Sequence, residues 1–421
     1  MQGDAPDFNA FADMLGDTFD LLHRLAETPQ DSEWHAEGNV RIHTEMVLEE
    51  TYKLLDKDAV NIEPERRLAL ILSALFHDIA KPLTTRIREF DGRYRTISPG
   101  HEDRGRSYLA NKLMELRLPY EMTQNILSLV GCHHLHKRLV IKDSQERKYR
   151  KLARLTDIEL LCYLGQADML GRTCRDKQIQ IEYIDLFRLF AEEYGVWKVS
   201  DPYRHWLDFF EAELAGFDED TRDLVFGNAI RDAEAGKIFT PEEALAKSYQ
   251  YRDSFPRLVV MCGPSGAGKS SWIHKNIPDY EIVSLDDLRE RITGKKENQS
   301  KNGQVIQAAR EELKNHLRHH RKVVWDATNL RRNYRNMVIS FGFDYHALVT
   351  LVVFHLSESE LFVRNVQRES PVSNEVLHRQ LEILEWPDAS EAHRLLFIGA
   401  EGQCLNFEGG CAKRRFPFPL S

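Results

Sequence analysis

No apolar run in this sequence is long enough to cross a bilayer. The strongest uncharged stretches, residues 68–76 and 347–356, stop well short of the roughly 18 residues a spanning helix needs. Support for export is also missing: the amino end, MQGDAPDFNAFADM, places acids where a secretory signal has positive charge followed by an apolar block. A cytoplasmic location without membrane partners is expected. Cysteine is sparse, six in 421 residues, and Cys132, Cys162, Cys174, Cys262, Cys404 and Cys411 form no CxxC pair and no even framework. Free thiols in a reducing compartment follow. Net positive charge is lacking, since the formal charge is -9. That argues against broad coating of nucleic acid, while leaving room for a local basic groove that grips one strand end. There is no internal repeat and no low-complexity tract.

With 42% hydrophobic and 29% charged residues, the chain is too mixed for disorder and too long for one ordinary core, so two or three domains are expected. Charge is unevenly divided. Residues 257–421 hold 23 basic against 20 acidic side chains, and residues 1–256 hold 34 against 46. Apolar positions recur at spacings of three and four in FADMLGDTFDLLHRLAE, RRLALILSALFHDIAK and IEYIDLFRLFAEEYGVW, which predicts a helical amino-terminal half with little sign of a sheet. The pattern changes after Pro256. The short runs RLVVMC, YEIVSL, KVVWDA and ALVTLVVFHL, separated by helical patterns, predict an α/β domain with a parallel sheet. Periodicity is lost again from about residue 400, which reads as a loosely attached tail containing a basic KRR.

Residues 263–270, GPSGAGKS, match GxxxxGK[ST] in full between a predicted strand and a predicted helix. Backbone amides around Gly263, Ser265, Gly266 and Gly268 can converge on phosphate oxygens. Lys269 can reach the β and γ phosphates, and the hydroxyl of Ser270, followed by Ser271, can join a magnesium shell. The next strand ends in SLDDLR, at the sheet edge where α/β proteins bind ligands. There Asp286 can accept a proton from an attacking hydroxyl and Arg289 can hold an acceptor phosphate. Equally, Ser284 or Asp286 can be a helix cap followed by favourable acids. A third element, VVWDATN, brings Asp326, Thr328 and Asn329, followed by Arg331, Arg332 and Arg335, which could line the acceptor site. A fourth places Arg364 and Arg368 one helical turn apart, as a lid over ATP or as a solvated face.

In this order and spacing, residues 257–395 resemble the 5'-hydroxyl polynucleotide kinases of the phage end-repair type. The resemblance implies that Lys269 and Ser270 serve ATP (or another nucleoside triphosphate) and Mg2+, that Asp286 is the general base, and that Arg289 holds the acceptor phosphate. It also implies a lid formed by Arg364 and Arg368, with Asp326 in a positional role.

The helical half carries His43, the pair His77-Asp78, His101, the pair His133-His134, and Asp168, residue types suited to metal ligation. Any one of them alone is more often a hydrogen-bonded core residue. As an ordered set on a helical background they resemble the HD superfamily of metal-dependent phosphohydrolases. EWHAEGNVRIHT, HDIAKP and SPGHE resemble most the HD domains that accompany bacterial RNA-processing enzymes. This implies one divalent ion on His43, His77, Asp78 and Asp168, with Asp78 able to bridge to a second on His101 and one or both of His133 and His134. Lys81 would neutralise the phosphate under attack, with Arg104 and Arg172 as weaker candidates. His35 is ambiguous, a structural role in the N-terminal loop being favoured, and His136 reads as a surface residue.

The whole architecture resembles the bacterial HD-Pnk family of bifunctional end-healing enzymes. It implies an all-α HD domain (1–176), a helical extension and linker (177–256), an α/β P-loop kinase domain (257–400) and a tail (401–421). The implied activities are hydrolysis of 2',3'-cyclic, 2'- and 3'-phosphates and ATP-dependent 5' phosphorylation, acting on DNA or RNA ends, with a polynucleotide ligase as possible partner. Two other readings stay open: an HD nucleotidase fused to a small-molecule kinase, and an ATP-gated RNA-binding regulator.

Overall fold

The computed structural model describes residues 5–296, 298–368 and 370–410. The chain divides into two compact units, Met1–Pro202 and Tyr203–Ser421.

The first unit is helical. Its central members are α1 (Val40–Lys57), α2 (Pro64–Phe76), α3 (His101–Leu113), α4 (Tyr120–Cys132) and α5 (Ile158–Leu170). Asn39 caps α1 by accepting from the amide of Ile42, Asp157 caps α5 by accepting from that of Leu160, and Pro64 opens α2 where no intrahelical amide partner is required. Helix α5 is buried almost all round, as its sequence IELLCYLGQADML demands, and it packs against α1, α2 and α4. Around it the chain returns repeatedly to one place, the carboxyl ends of α2 and α4 and the amino end of α3.

One feature of this unit departs from the helical expectation: β1 (Arg86–Phe90) and β2 (Arg93–Ile97) form an antiparallel hairpin. Asp91 and Gly92 make its turn with φ of 49° and 77°, the geometry that matches strand twist. Polar residues on both faces hid it, because alternation of apolar and polar residues marks only strands with one buried face.

The second unit is built on a six-stranded sheet. Its strands are β3 (Arg257–Cys262), β4 (Glu281–Ser284), β5 (Lys322–Asp326), β6 (Leu348–Phe354), β7 (Arg394–Ile398) and β8 (Cys404–Glu408), in the order β4-β5-β3-β6-β7-β8. All neighbours are parallel except β8 on β7. The last two strands lie outside the expected set. The four residues Leu395–Ile398 are too few to separate from a buried helix segment, and residues 404–408, expected in the tail, form an edge strand. Its KRR lies outside the described residues. The strands β3 and β6 are almost wholly buried, as continuous Val and Leu runs require. The helices are α6 (Glu219–Glu234), α7 (Lys269–Asn276), α8 (Leu285–Thr293), α9 (Asn302–Arg318), α10 (Arg332–Asp344), α11 (Glu358–Val366) and α12 (Asn374–Glu382). Val259, Met261, Trp272, Phe354, Leu361 and Ile398 share one core beneath the phosphate loop.

The cysteines described, Cys132, Cys162, Cys174, Cys262 and Cys404, are free. No helix among the described residues is long and apolar enough to cross a membrane.

Candidate active sites

In the first unit, His43 stands in the first turns of α1, His77 closes α2, His101 opens α3 and His133 closes α4, while Asp168 lies near the end of α5. All five side chains, with Asp78, are at most 5% exposed. Each imidazole is oriented by its Nδ1. Nδ1 of His77 lies 2.8 Å from the carbonyl oxygen of Ala74, that of His101 2.7 Å from Ser98 and that of His133 2.7 Å from Val130. His43 places its Nδ1 3.1 Å from Glu37 Oε1 and 3.3 Å from the Gly171 oxygen. A carbonyl oxygen only accepts, so Nδ1 carries the proton and Nε2 turns a bare lone pair inward.

Those lone pairs face one another and face carboxylates. His43 Nε2 lies 3.3 Å from His77 Nε2 and 3.1 Å from Asp168 Oδ1, and His101 Nε2 lies 3.3 Å from His133 Nε2. Asp78 stands between the two groups: Oδ2 is 3.2 Å from His77 and 3.7 Å from His43, and Oδ1 is 3.1 Å from His101 and 4.0 Å from His133. Among the described residues Asp168 Oδ2 has no hydrogen-bond partner, and the Asp78 oxygens, buried like it, meet the Lys81 ammonium at Oδ2 and otherwise face these imidazole nitrogens. Acceptors converging on acceptors in a dry pocket need cations. The donor set fits one or two divalent ions: nitrogen-rich, with one carboxylate able to serve both sides.

Protonation would be the other remedy, and burial opposes it. Burial, with the neighbouring histidines, holds His133 well below the usual imidazole range. His77 moves the other way, because Asp78 and Asp168 outweigh its burial. Asp78 stays ionised despite burial, through Lys81 and the surrounding histidines, and Asp168 through Arg172 and His43. The Lys81 ammonium lies 2.6 Å from Asp78 Oδ2 and donates to Gln30 Oε1 at 2.6 Å. Arg172 is spent on Asp168 at 2.6 Å. His134 groups with His101 and His133, but its Nδ1 faces Glu102 at 2.9 Å and its side chain is 27% exposed.

His136 is a correction. Expected at the surface, it is fully buried against Phe187, and burial pushes its pKa down to about 3. In HHLHK the first histidine ends one helix and the second precedes the next, Leu135–Ile141, whose first turn carries His136 inward onto the bundle. Two residues escaped the sequence reading: Glu37, which accepts from Thr173 N at 2.9 Å and touches His43 and His35, and Gln30. His35 sits 2.8 Å from Glu37. An EGN triplet in a loop carries no periodic signal that would single out its glutamate.

In the second unit, β3 runs into the glycine loop, where Gly266 and Gly268 have φ of 82° and 102°. A side chain on Gly268 would stand 3.4 Å from Arg364 Nη1, and one on Gly266 3.7 Å from Arg368 Cδ, so both arginines overlie the loop. Arg364 also donates to the Ala400 oxygen. Lys269 donates to the Gly263 and Pro264 oxygens at 2.9 and 2.8 Å, and burial lowers its pKa. Ser270 donates to Asp326 Oδ2 at 3.2 Å, and burial raises the Asp326 pKa. Register places Ser284 opposite Asp326, which brings the ends of β4 and β5 to one edge. Ser284 caps α8 through the amide of Asp287 at 3.2 Å, and Asp286 is 71% exposed with Arg289 paired to it. Ser271 is exposed and Thr328 half-buried, the Thr328 oxygen accepting from Gly263 N at 3.0 Å.

Asn329 turns into the sheet, with φ of 46° and its amide donating to the Met261 oxygen at 2.7 Å. Arg335 is buried completely, donating to Glu391 at 2.7 and 2.9 Å and to the Leu330 oxygen at 2.9 Å. It braces the turn after β5 and does not line an acceptor groove, correcting the reading of the three arginines as one patch. Gln380 on α12 was missed: its Oε1 accepts from Ser265 N at 2.7 Å.

Fold and sites together define an HD domain followed by a P-loop kinase-like α/β domain with a mostly parallel sheet, the domains of an enzyme. Comparison with known proteins agrees: a family model described as an HD domain matches residues 40–168, and one described as an AAA domain matches residues 258–387. The chain is 30% identical over 164 residues to a multifunctional CCA protein of Shewanella frigidimarina, covering 37% of this chain and 35% of that one. It is 31% identical over 188 residues to a CC-adding tRNA nucleotidyltransferase of Thermus thermophilus, covering 44% and 40%. The chain thus spans about two-fifths or less of the length of these curated relatives. Among solved structures, a gluconokinase from Sinorhizobium meliloti has a TM-score of 0.28 at 25% identity, covering 36% of this chain and 86% of that one. A chain of the PezAT toxin-antitoxin system of Streptococcus pneumoniae has a TM-score of 0.28 at 16% identity, covering 39% and 80%.

Proposed function

We propose that the protein heals nucleic-acid ends, the first unit (HD domain 1–176) removing a terminal 3'-, 2'- or 2',3'-cyclic phosphate and the second (257–400) phosphorylating a 5'-hydroxyl from ATP. The observation that carries the reading is the pairing, on one chain, of a buried His–Asp centre flanked by Lys81 with a phosphate loop flanked by the Asp286/Arg289 pair. A matched relative named for acting on tRNA supports nucleic acid as the substrate class of a chain with this HD domain.

In the first unit His43, His77, Asp78 and Asp168 would hold one divalent ion and His101, His133 and His134 a second shared through Asp78. Such ions supply Lewis-acid activation of water and charge neutralisation at phosphorus. Glu37 and the backbone carbonyls keep the imidazoles oriented, and Lys81 places a positive charge where the phosphate would enter. In the second unit the amides of Gly263 to Gly268 and Lys269 would cradle the triphosphate, and Ser270 with Asp326 would hold Mg2+, which supplies charge neutralisation at the phosphates. Asp286 takes the proton from the attacking 5'-hydroxyl, while Arg289 holds the adjacent phosphate and Arg364 and Arg368 close over the transferred group. Thr328 lines the same edge. A polynucleotide ligase would consume the 5'-phosphate and 3'-hydroxyl ends so made.

The test combines γ-labelled ATP with a 5'-hydroxyl oligonucleotide, and separately measures phosphate release from a 3'-phosphate oligonucleotide. Asp286→Asn should reduce labelling by about 10²–10⁴-fold, the range for a lost general base, and spare phosphate release; Asp78→Asn should do the reverse. Transfer to nucleosides or small alcohols alone would overturn the polynucleotide assignment.

A further inference from the structure

The hairpin β1–β2 plays no part in the chemistry above, yet it is rooted in the metal centre. The short helix Lys81–Thr84 leads into β1, and β2 leads back to His101. Its base is closed by Thr85 Oγ1 and Ser98 Oγ, 2.7 Å apart, and the carbonyl of the same Ser98 orients His101.

Register pairs Arg86 with Ile97, Arg88 with Arg95 and Phe90 with Arg93. Directly opposed residues of an antiparallel pair project to the same face. Four guanidiniums and Phe90 therefore share one face, while Glu89 and Tyr94 occupy the other. Like charges placed opposite one another destabilise a bare hairpin, and a two-stranded element with both faces exposed has no core of its own. Among the described residues only Arg95 is neutralised, by Asp31 at 3.1 and 3.0 Å and Glu33 at 3.0 Å, and it lies over the Trp34 ring. Arg88 has just the Phe90 ring, 5.2 Å away, and Arg86 and Arg93 have no ion pair among the described residues. In a chain of net charge -9 this face is a concentrated positive exception.

Unpaired arginines beside an exposed ring match a single nucleic-acid strand, whose phosphates take guanidiniums and whose unstacked bases take aromatic faces. We propose that the arginine face of this arm binds the strand that leads to the phosphate end in the His–Asp centre. Arg86, Arg88 and Arg93 contact backbone phosphates and Phe90 stacks on a base. The location of that end rests on the phosphohydrolase reading; strand binding by the arm does not.

The test is fluorescence anisotropy of the full-length protein with a short 5'-fluorescein single strand bearing a 3'-phosphate, titrated over a range of salt. Replacing the three arginines together (Arg86→Ala, Arg88→Ala, Arg93→Ala) should weaken binding at least about tenfold and lower the slope of log K against log salt by about 2, from roughly 0.7 per single-strand phosphate contact. The corresponding Lys variants should restore the slope, and Tyr94→Ala, on the opposite face, should leave it unchanged. In parallel, the Ala variant should raise KM for the oligonucleotide while leaving hydrolysis of a mononucleotide 3'-phosphate as it was. An unchanged salt slope, an equal loss with Tyr94→Ala, an equal loss on the mononucleotide, or tighter binding to anionic vesicles than to the strand would overturn the proposal. Failure of the wild-type protein to hydrolyse either substrate would overturn the phosphohydrolase reading, while anisotropy still decides the arm.

Discussion

At the scale of single residues, the first unit depends on which nitrogen of each imidazole carries a proton. Glu37 sets this for His43, since its Oε1 accepts at Nδ1 and its other oxygen is fixed by Thr173 N. Glu37→Gln would present His43 with an amide that can itself donate, so the ring could turn its lone pair outward. Metal affinity, read by chelator competition, should fall about 10–100-fold, the usual cost of losing a partner of a metal-ligating histidine, with kinase activity unchanged; full retention of the metal would reject this role. Lys81 is a separate case. Lys81→Met should leave Asp78 ionised by its histidines but reduce phosphate release by about 10²–10³-fold, as removal of one preorganised charge at a reacting oxyanion does; loss of bound metal in the same variant would assign Lys81 to the fold instead. The sequence displayed the HD pair, the flanking histidines and Asp168 because they sit at helix ends with recognisable apolar runs beside them. It did not display Glu37, Gln30 or Gln380, whose contacts join segments far apart in the chain.

At the scale of elements, the kinase unit rests on a buried ion pair behind the phosphate loop. Arg335 on α10 reaches across to Glu391 and to the carbonyls of Asn329 and Leu330, and so fixes the turn after β5 whose Thr328 carbonyl holds Gly263. Arg335→Ala leaves the buried Glu391 carboxylate with Arg332 Nε, 3.8 Å away, in place of its two-pronged partner, and should cost about 3–5 kcal/mol in urea unfolding. Arg335→Lys should recover little, because a single ammonium cannot reproduce the two-pronged contact. Unaltered stability in both would show that the pair is dispensable. The four strands β3 to β6 were legible because each is a compact Val-rich run ending at a polar motif. The strand pair β7–β8 was not: β8 is an edge strand only half-buried on every residue, so it carries no strong hydropathy. The arm β1–β2 was silent for a related reason, having no buried face at all.

At the scale of the whole molecule, folding leaves neutral histidines in dry surroundings, and acid should unfold the protein for that reason. His393 accepts from Val349 N at 3.0 Å and faces Asn228 Oδ1 at 3.1 Å, and burial lowers its pKa to about 3. The unfolded chain takes up this proton near pH 6.5 while the folded one does not until about pH 3. Stability from this group is therefore complete above pH 6.5 and falls as the pH drops below it, by about 1.4 kcal/mol per unit. Urea midpoints at pH 7.5 and 5.5 should show that loss in the wild type and a smaller one in His393→Gln; parallel losses would rule out His393 as a source. Taken alone, the sequence displayed a complete phosphate loop, a local pattern of glycines, lysine and serine between strand and helix, and an ordered set of histidines and aspartates whose resemblance to an HD centre implied a metal site. Tertiary structure alone decided that the bare imidazole nitrogens and two carboxylates converge, that Arg335 is a brace while Arg364 and Arg368 overlie the loop, and that four arginines share one face of an arm. Those are facts of long-range packing and strand register, and a one-residue slip in register would scatter the arginines without changing a letter of the sequence.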